Sequence, residues 1–253
     1  MLIDTHCHLD AAEFDLDRDA VHAAALAAGV ERMVLPAVAV DRFIQLKTSV
    51  ARYPGCVAAY GIHPLFVMPA KEADLAELRA WLSNEKPVAV GEIGLDFYLP
   101  EIDLQRQTFF FIEQLKLARE FNLPVLLHVR RSVDAILKQL RRFKVPGGIA
   151  HAFNGSRQQA EAFIQLGFKL GFGGAMTYSG STRIRQLAAT LPLEAIVLET
   201  DAPDISPAWL AGRRNAPAEL RQIAEVLARL RGLSLAEVAA QTSRNARAVF
   251  PGI

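Results

Sequence analysis

The residues of this 253-residue chain best suited to chemistry are its histidines, and five of the six share one setting. His6, His8, His63, His128 and His151 each lie at or just beyond the end of a short apolar, β-branched run. Glu92 and Asp201 occupy the same position in two further runs. Imidazole and carboxylate together are a donor set for zinc, manganese or magnesium-class divalent ions. His6, His8, Glu92, His128, His151 and Asp201 are therefore the candidate metal ligands. In Asp4-Thr5-His6-Cys7-His8 the side chains alternate faces, so His6 and His8 point the same way and Cys7 points opposite, as a small packed hydrophobe.

Each residue also has a plainer reading. A lone His-x-His arises by chance, and a buried histidine often only satisfies hydrogen bonds. Glu92 could be a structural ion-pair partner, yet a carboxylate flanked by Gly91 and Gly94 is costly to bury unless something cationic meets it. His63, followed by Pro64, reads as a substrate contact or supporting residue, with a purely structural role as the alternative. His22 falls in a helical stretch away from every run end and is expected to be exposed. No Gly-x-Ser-x-Gly elbow accompanies the histidines, which argues against a Ser-His-Asp esterase. The Cys and His spacing of a structural zinc module is absent too.

The elements that must position these groups alternate along the whole chain. Expected strands are 2–6, 32–36, 57–61, 88–92, 124–128, 148–151, 169–172 and 195–200, their ends separated by enough residues for a loop and a returning helix. Val21, Ala24, Ala25 and Ala28 follow helical spacing, with Gly29 as C-terminal cap. Phe111, Leu115, Ala118 and Phe121 mark a second helical face, and Leu220, Ile223, Ala224, Leu227 and Leu230 a third. Ser234 to Glu237 reads as a capping box opening a last helix. Eight such units without linker or repeat predict a single (β/α)8 TIM barrel over residues 1–253, an open doubly wound sheet being the runner-up. Phosphate-loop and dinucleotide fingerprints are absent, and Gly171 to Gly174 lacks their spacing. In such a barrel all strand ends open on one face, where catalytic residues gather.

The composition is 51% hydrophobic and 22% charged, enough apolar material for one large core and too much for a disordered chain. A net charge of +1 gives no whole-protein field for nucleic acid or membrane, so an anionic substrate would depend on local arginines. Met1 to Asp4 lacks the basic start of a signal peptide, and the apolar stretch 23–30 is too short to span a bilayer. Two cysteines, Cys7 and Cys56, make no disulfide framework. The reading is a soluble, cytoplasmic protein without membrane association.

Ordered motifs then carry a resemblance. Ile3 to Asp10, Gly61-Ile62-His63-Pro64, Gly91-Glu92-Ile93-Gly94-Leu95-Asp96, Gln107, Phe111 and Gln114-Leu115 begin the series. Pro124 to Arg130, His151-Ala152-Phe153-Asn154-Gly155-Ser156, Glu199-Thr200-Asp201-Ala202-Pro203, Asn245 and Phe250 complete it. Over nearly its full length the chain resembles the TatD family of metal-dependent deoxyribonucleases, within the amidohydrolase-like barrels. Arg214-Asn215-Ala216-Pro217, where Arg-Asn-Glu-Pro is usual, and Asp204, where tyrosine is common, resemble its YjjV-like branch.

The resemblance implies two divalent metal ions (Mg2+, Mn2+ or Zn2+): one on His6, His8 and Asp201, one on His128 and His151, with Glu92 bridging. It also implies DNA as substrate, 3'-5' exonuclease-type phosphodiester hydrolysis and a monomer. Two such ions lower the pKa of a water and neutralise phosphoryl charge. Glu92 and Asp201 are then the catalytic carboxylates, Asp201 orienting or deprotonating the nucleophile. His63 and Arg130 are expected to hold the phosphate, and Arg213 and Arg214 to meet neighbouring phosphates, since a guanidinium fork matches phosphate oxygens. Lys138, Arg141, Arg142 and Lys144 read as a solvated helix face. Hydrolysis of a small-molecule amide, ester or phosphoester is the alternative on the same site, and binding without turnover a third reading.

Overall fold

In the computed structural model of the chain, which describes residues 1–98, 101, 103–250 and 252–253, eight parallel strands follow one another in sequence order around a barrel. They are β1 (Leu2–Asp4), β2 (Val30–Pro36), β3 (Cys56–Tyr60), β4 (Ala89–Asp96), β5 (Val125–Arg130), β6 (Gly148–Ala150), β7 (Phe168–Phe172) and β8 (Ile196–Leu198). Seven helices return the chain between them: α1 (Arg18–Ala27), α2 (Phe43–Arg52), α3 (Ala73–Glu85), α4 (Leu104–Glu120), α5 (Val133–Arg142), α6 (Arg157–Gln165) and α7 (Thr182–Thr190). Helices α8 (Leu220–Arg231) and α9 (Leu235–Val249) complete the outer layer. This is the (β/α)8 barrel expected from the alternation of runs.

Two apolar layers hold it. Residues such as Met33, Leu35, Tyr60 and Val90 meet helix residues such as Leu46, Leu78, Phe111 and Leu227 in the layer between strands and helices, where Cys7 is also buried. A smaller cluster joins one residue from each of seven strands (Ile3, Val34, Ala59, Ala89, Leu126, Ile149 and Val197) to Ala246, Val249 and Phe250 at the end of the chain. Full burial of a side chain the size of Phe250 stabilises by about 2–3 kcal/mol. Asn245 locks that plug, its Nδ2 donating to the carbonyls of Leu193 and Ile196, each at 2.7 Å. The Ser234 capping box at the start of α9 is formed as expected.

Between β8 and β1 the barrel is joined by single bonds. Thr5 N–H donates to Leu198 O at 3.1 Å and Asp201 N–H to His6 O at 2.8 Å. The buried Asp4 carboxylate receives the Thr200 amide at 2.9 Å and its hydroxyl at 2.6 Å.

Strand β4 runs four residues beyond its expected end at Glu92. Gly94 permits this: a Cβ there would lie 2.0 Å from His128 O, so only glycine lets β4 and β5 approach so closely. Gly91 has the same role nearer the start of the strand, where a Cβ would lie 2.6 Å from Leu126 Cβ. Glu92 is consequently inside a strand rather than at its tip. His22, expected to be exposed, is 7% exposed: α1 packs over the end of α2, and its Nε2 lies 3.0 Å from Pro54 O. Lys138, Arg141, Arg142 and Lys144 are all exposed, as expected of a solvated face. Among the described residues no helix is long and apolar enough to cross a membrane.

Candidate metal centre

Past the last ladder bonds of β1 the chain bends at Thr5 and His6, sending Thr5 N–H to β8 and Cys7 N–H to Val34 O of β2. His6 and His8 therefore both enter the barrel mouth, their Nε2 atoms 3.3 Å apart. Glu92 rises from β4 between them and the histidines of the neighbouring strands, and its two oxygens divide the cluster. Oε2 faces His6 Nε2 at 3.1 Å and His8 Nε2 at 3.8 Å. Oε1 faces His128 Nδ1 at 2.9 Å and His151 Nε2 at 3.8 Å. Asp201 Oδ1 joins the first set, 3.5 Å from His6 Nε2 and 3.8 Å from His8 Nε2. All six expected ligand residues thus converge on one place.

The chemistry of these donors fits cations. Oxygen and nitrogen atoms of His6, Glu92 and His151, of His6, His8 and Asp201, and of His63, Glu92 and His128 lie within 4.8 Å of one another in each set. So many imidazole lone pairs converging on buried carboxylates call for positive charge between them. Supporting carboxylates turn the outer rings in the required sense. Asp96 Oδ2 lies 3.0 Å from His128 Nε2 and, as a carboxylate, accepts a proton from it, so that release of the Nδ1 proton now facing Glu92 Oε1 at 2.9 Å would turn that nitrogen's lone pair to an ion. Glu199 Oε1 stands 3.3 Å from His151 Nδ1 and also accepts the Ala152 amide, which aims His151 Nε2 inward. His63 is different. Its Nδ1 accepts the Leu65 amide at 3.1 Å, so the neutral ring carries its proton on Nε2, which lies 3.1 Å from His128 Nδ1 and 3.5 Å from Glu92 Oε1. That makes His63 a donor at the edge of the cluster.

The charges respond to this crowding. Burial pushes the Glu92 carboxyl up, but the imidazoles of His6 and His63 and the hydrogen bonds from His128 and His6 outweigh it and hold it well below the usual carboxylate range. Burial drives His151 down, yet Asp201, Glu199 and Glu92 together raise it to about 10. Burial raises Asp201 to about 6 against the pull of His151 and His8. A ligating histidine must be neutral, so cation binding here is coupled to proton release.

Residues 3–251 match the family described as TatD related DNase. The chain belongs to the TatD family. It is 39% identical to an uncharacterized metal-dependent hydrolase, YjjV, of Escherichia coli strain K12, over 98% of this chain and 97% of that one. The crystal structure of YjjV superposes with a TM-score of 0.95 at 38% identity, covering 98% of this chain and 97% of that one. A relative named 3'-5' ssDNA/RNA exonuclease TatD, from Cronobacter sakazakii, is 34% identical, with 98% of this chain and 97% of that one covered. This TatD family member is accordingly a metal-dependent hydrolase.

Above the cluster opens a cavity of about 1510 Å³, lined by His8, His63, Glu92, His128, His151 and Asp201 at its floor. Of the arginines expected to meet substrate, only Arg130 lines it. Arg213 and Arg214 do not. Arg214 forks onto Asp17 at 2.9 and 2.6 Å and donates to Glu13 O at 2.6 Å, while Arg213 Nε donates to Leu210 O at 3.1 Å. The cavity's other arginines are Arg42, Arg131 and Arg183, the last held by Asn154 Oδ1 at 2.7 Å. Asp10, Glu13, Asp134 and Asp204 line it as well.

Sequence reasoning passed over these three arginines and the supporting carboxylates Asp96 and Glu199. Both carboxylates stood inside motifs already singled out, and a carboxylate a few residues from a ligand on the same strand end was the available signal. Arg42 and Arg183 lie at helix starts and gave none.

Proposed function

We propose that this TatD family member is a deoxyribonuclease that removes nucleotides from a 3' end by phosphodiester hydrolysis at the Glu92-centred cluster. The observation that carries this reading is the breadth of the cavity: about 1510 Å³, with Arg42, Arg130, Arg131 and Arg183 standing among its carboxylates as the groups that can meet phosphate. Drug-sized ligands fill pockets of about 300–1,000 Å³, so this one suits a stretch of polymer. The direction of digestion and the choice of substrate follow the exonuclease name of the relative.

His6, His8 and Asp201 would hold one divalent ion and His128 and His151 another, with Glu92 between; Mg2+, Mn2+ and Zn2+ all suit these donors. When bound, such ions activate water and neutralise charge building on the phosphoryl group. Asp201, partly exposed to the cavity, orients the attacking water and takes its proton at a carboxylate oxygen. His63 Nε2–H and Arg130 donate to the phosphoryl oxygens. Every one of these groups comes from a single chain, so the site is complete in a monomer. The buried free thiols of Cys7 and Cys56 fit the reducing cytoplasm.

The test is a matrix of substrates and metals: end-labelled single- and double-stranded DNA, RNA and bis(p-nitrophenyl) phosphate, each with Mg2+, Mn2+ or Zn2+. Shortening of DNA from its 3' end is expected, lost on chelation and reduced by about a thousandfold or more in Glu92→Gln, since metal stabilisation is worth several kcal/mol. Turnover of the small ester with no cleavage of any polynucleotide would end this reading.

A further inference from the structure

Arg130 and Arg131 are consecutive, so on an extended strand their side chains would leave on opposite faces. Here both gather on one ring, with Cζ 3.7 Å and 4.7 Å from the Tyr98 centroid. The cause is the left-handed backbone of Arg131, at φ 56°, a conformation strained for a residue with a Cβ. The next residue fixes it: Ser132 is buried and its Oγ donates to Leu95 O at 2.6 Å. Tyr98 is fixed too, its amide donating at 2.8 Å to Asp96 Oδ1, the carboxylate whose other oxygen supports His128.

Two guanidiniums are thus held side by side on the cavity wall, tied through Asp96 to the metal cluster. Neither has a close anionic partner among the described residues. Arg130 Nη1 comes no nearer than 3.9 Å to Asp96 Oδ2, and the Arg131 guanidinium has no hydrogen bond or ion pair there. The attraction of an exposed guanidinium to the ring is weak, too weak to explain why like charges are assembled at a strained turn. An anion between them would explain it, and the guanidinium fork selects phosphate.

We propose that Arg131 binds the phosphodiester flanking the scissile one, and that Tyr98 is the positioning residue that keeps it beside Arg130. The enzyme would then recognise a chain of at least two phosphates rather than an isolated phosphoester. The inference rests on the nucleic-acid reading above and narrows it.

The probe is a 3'-terminal oligothymidylate, compared with the same oligomer carrying one neutral methylphosphonate at the linkage next to the terminal one. kcat/KM is measured with Mn2+, and binding by fluorescence anisotropy with Ca2+ in place of Mn2+. For wild type, neutralising the flanking linkage is expected to weaken both by about ten- to hundredfold, the worth of hydrogen bonds to a charged group. In Arg131→Gln the methylphosphonate should cost about threefold or less, because the partner of that charge is gone. Tyr98→Leu should show the same blunted response and Tyr98→Phe the full one, a rescue that general loosening of the wall would not give. An Arg131→Gln enzyme that loses as much as wild type overturns the proposal. If wild type cleaves neither oligomer, the nuclease reading fails and anisotropy decides the clamp. A blunted response in binding supports it; equal losses in both proteins, or no binding of either oligomer, overturns it.

Discussion

Two Arg-Arg doublets follow strands on the same face of this barrel, Arg130-Arg131 at the end of β5 and Arg213-Arg214 in the segment after β8. All four side chains are exposed, yet they stand in different surroundings. Arg214 lies over the buried Phe14 ring at 4.7 Å and reaches Asp17, 197 residues away in sequence, with both terminal nitrogens. It fastens the β8 loop to the start of α1. Arg130 and Arg131 meet an aromatic ring instead of a close carboxylate and face the cavity. The difference teaches that exposure and position on the catalytic face do not make an arginine available to substrate. What decides is whether an acceptor already lies within its reach.

Replacing each doublet by Ala-Ala tests this most strongly. Arg130→Ala with Arg131→Ala should lower kcat/KM on an oligonucleotide by about a hundredfold or more while leaving the urea midpoint unchanged, two charged contacts being lost from the bound state only. Arg213→Ala with Arg214→Ala should do the reverse: a lower urea midpoint, with kcat/KM within about threefold of wild type, because packing and a pair on the outside are lost. Equal kinetic losses from the two doublets would dissolve the distinction.

The same contrast shows how far the sequence could be read. The eight strands and the meeting of His6, His8, Glu92, His128, His151 and Asp201 were legible because both follow from local pattern: short β-branched runs at barrel spacing, with ligand-type residues at their ends. Strand ends were less legible. β4 continues to Asp96 since Gly94 admits His128 O, a contact made across the sheet. The fates of Arg214 and His22 depend on Asp17 and Pro54, neighbours created only by folding. Asp96 and Glu199 likewise gain their meaning from the histidine that each one faces. Local chemistry chose the candidate ligands, and tertiary contacts chose which polar neighbours serve them.

Asp96 offers a sharper and smaller test, since it touches both the doublet's wall and the candidate metal-binding cluster. Asp96→Asn keeps the size of the side chain but removes the charge that fixes the His128 proton on Nε2. Supporting carboxylates of this kind are worth about ten- to a hundredfold in metal affinity or activity. About tenfold weaker metal affinity is expected, measured by competition with a chromogenic chelator. Asp17→Asn, the matched change beside the other doublet, should leave that affinity as it is. Unchanged affinity in Asp96→Asn would detach the β5 wall from the cluster and leave the two doublets more alike than the geometry implies.

The smallest effect is the pH dependence of the Arg214 lock. The hydrogen bond from Arg214, opposed by slight desolvation, lowers the Asp17 carboxyl below its ordinary value. A carboxylate whose folded pKa is depressed contributes stability above its unfolded pKa, about 3.9, and loses it as pH falls through the folded value. The difference in urea midpoint between wild type and Arg214→Ala should therefore stay level from about pH 8 to pH 5 and shrink below about pH 4. Both proteins are compared in chelator, so that protonation of the histidine cluster cancels. The difference should not vanish, because the contact with Phe14 and the bond to Glu13 O carry no titrating group. Added salt should reduce only the share lost on acidification, as the pair is exposed and screened. A gap that widens on acidification would show that Arg214 acts through some group other than Asp17, and the β8 doublet would lose the acceptor on which its contrast with Arg130-Arg131 depends.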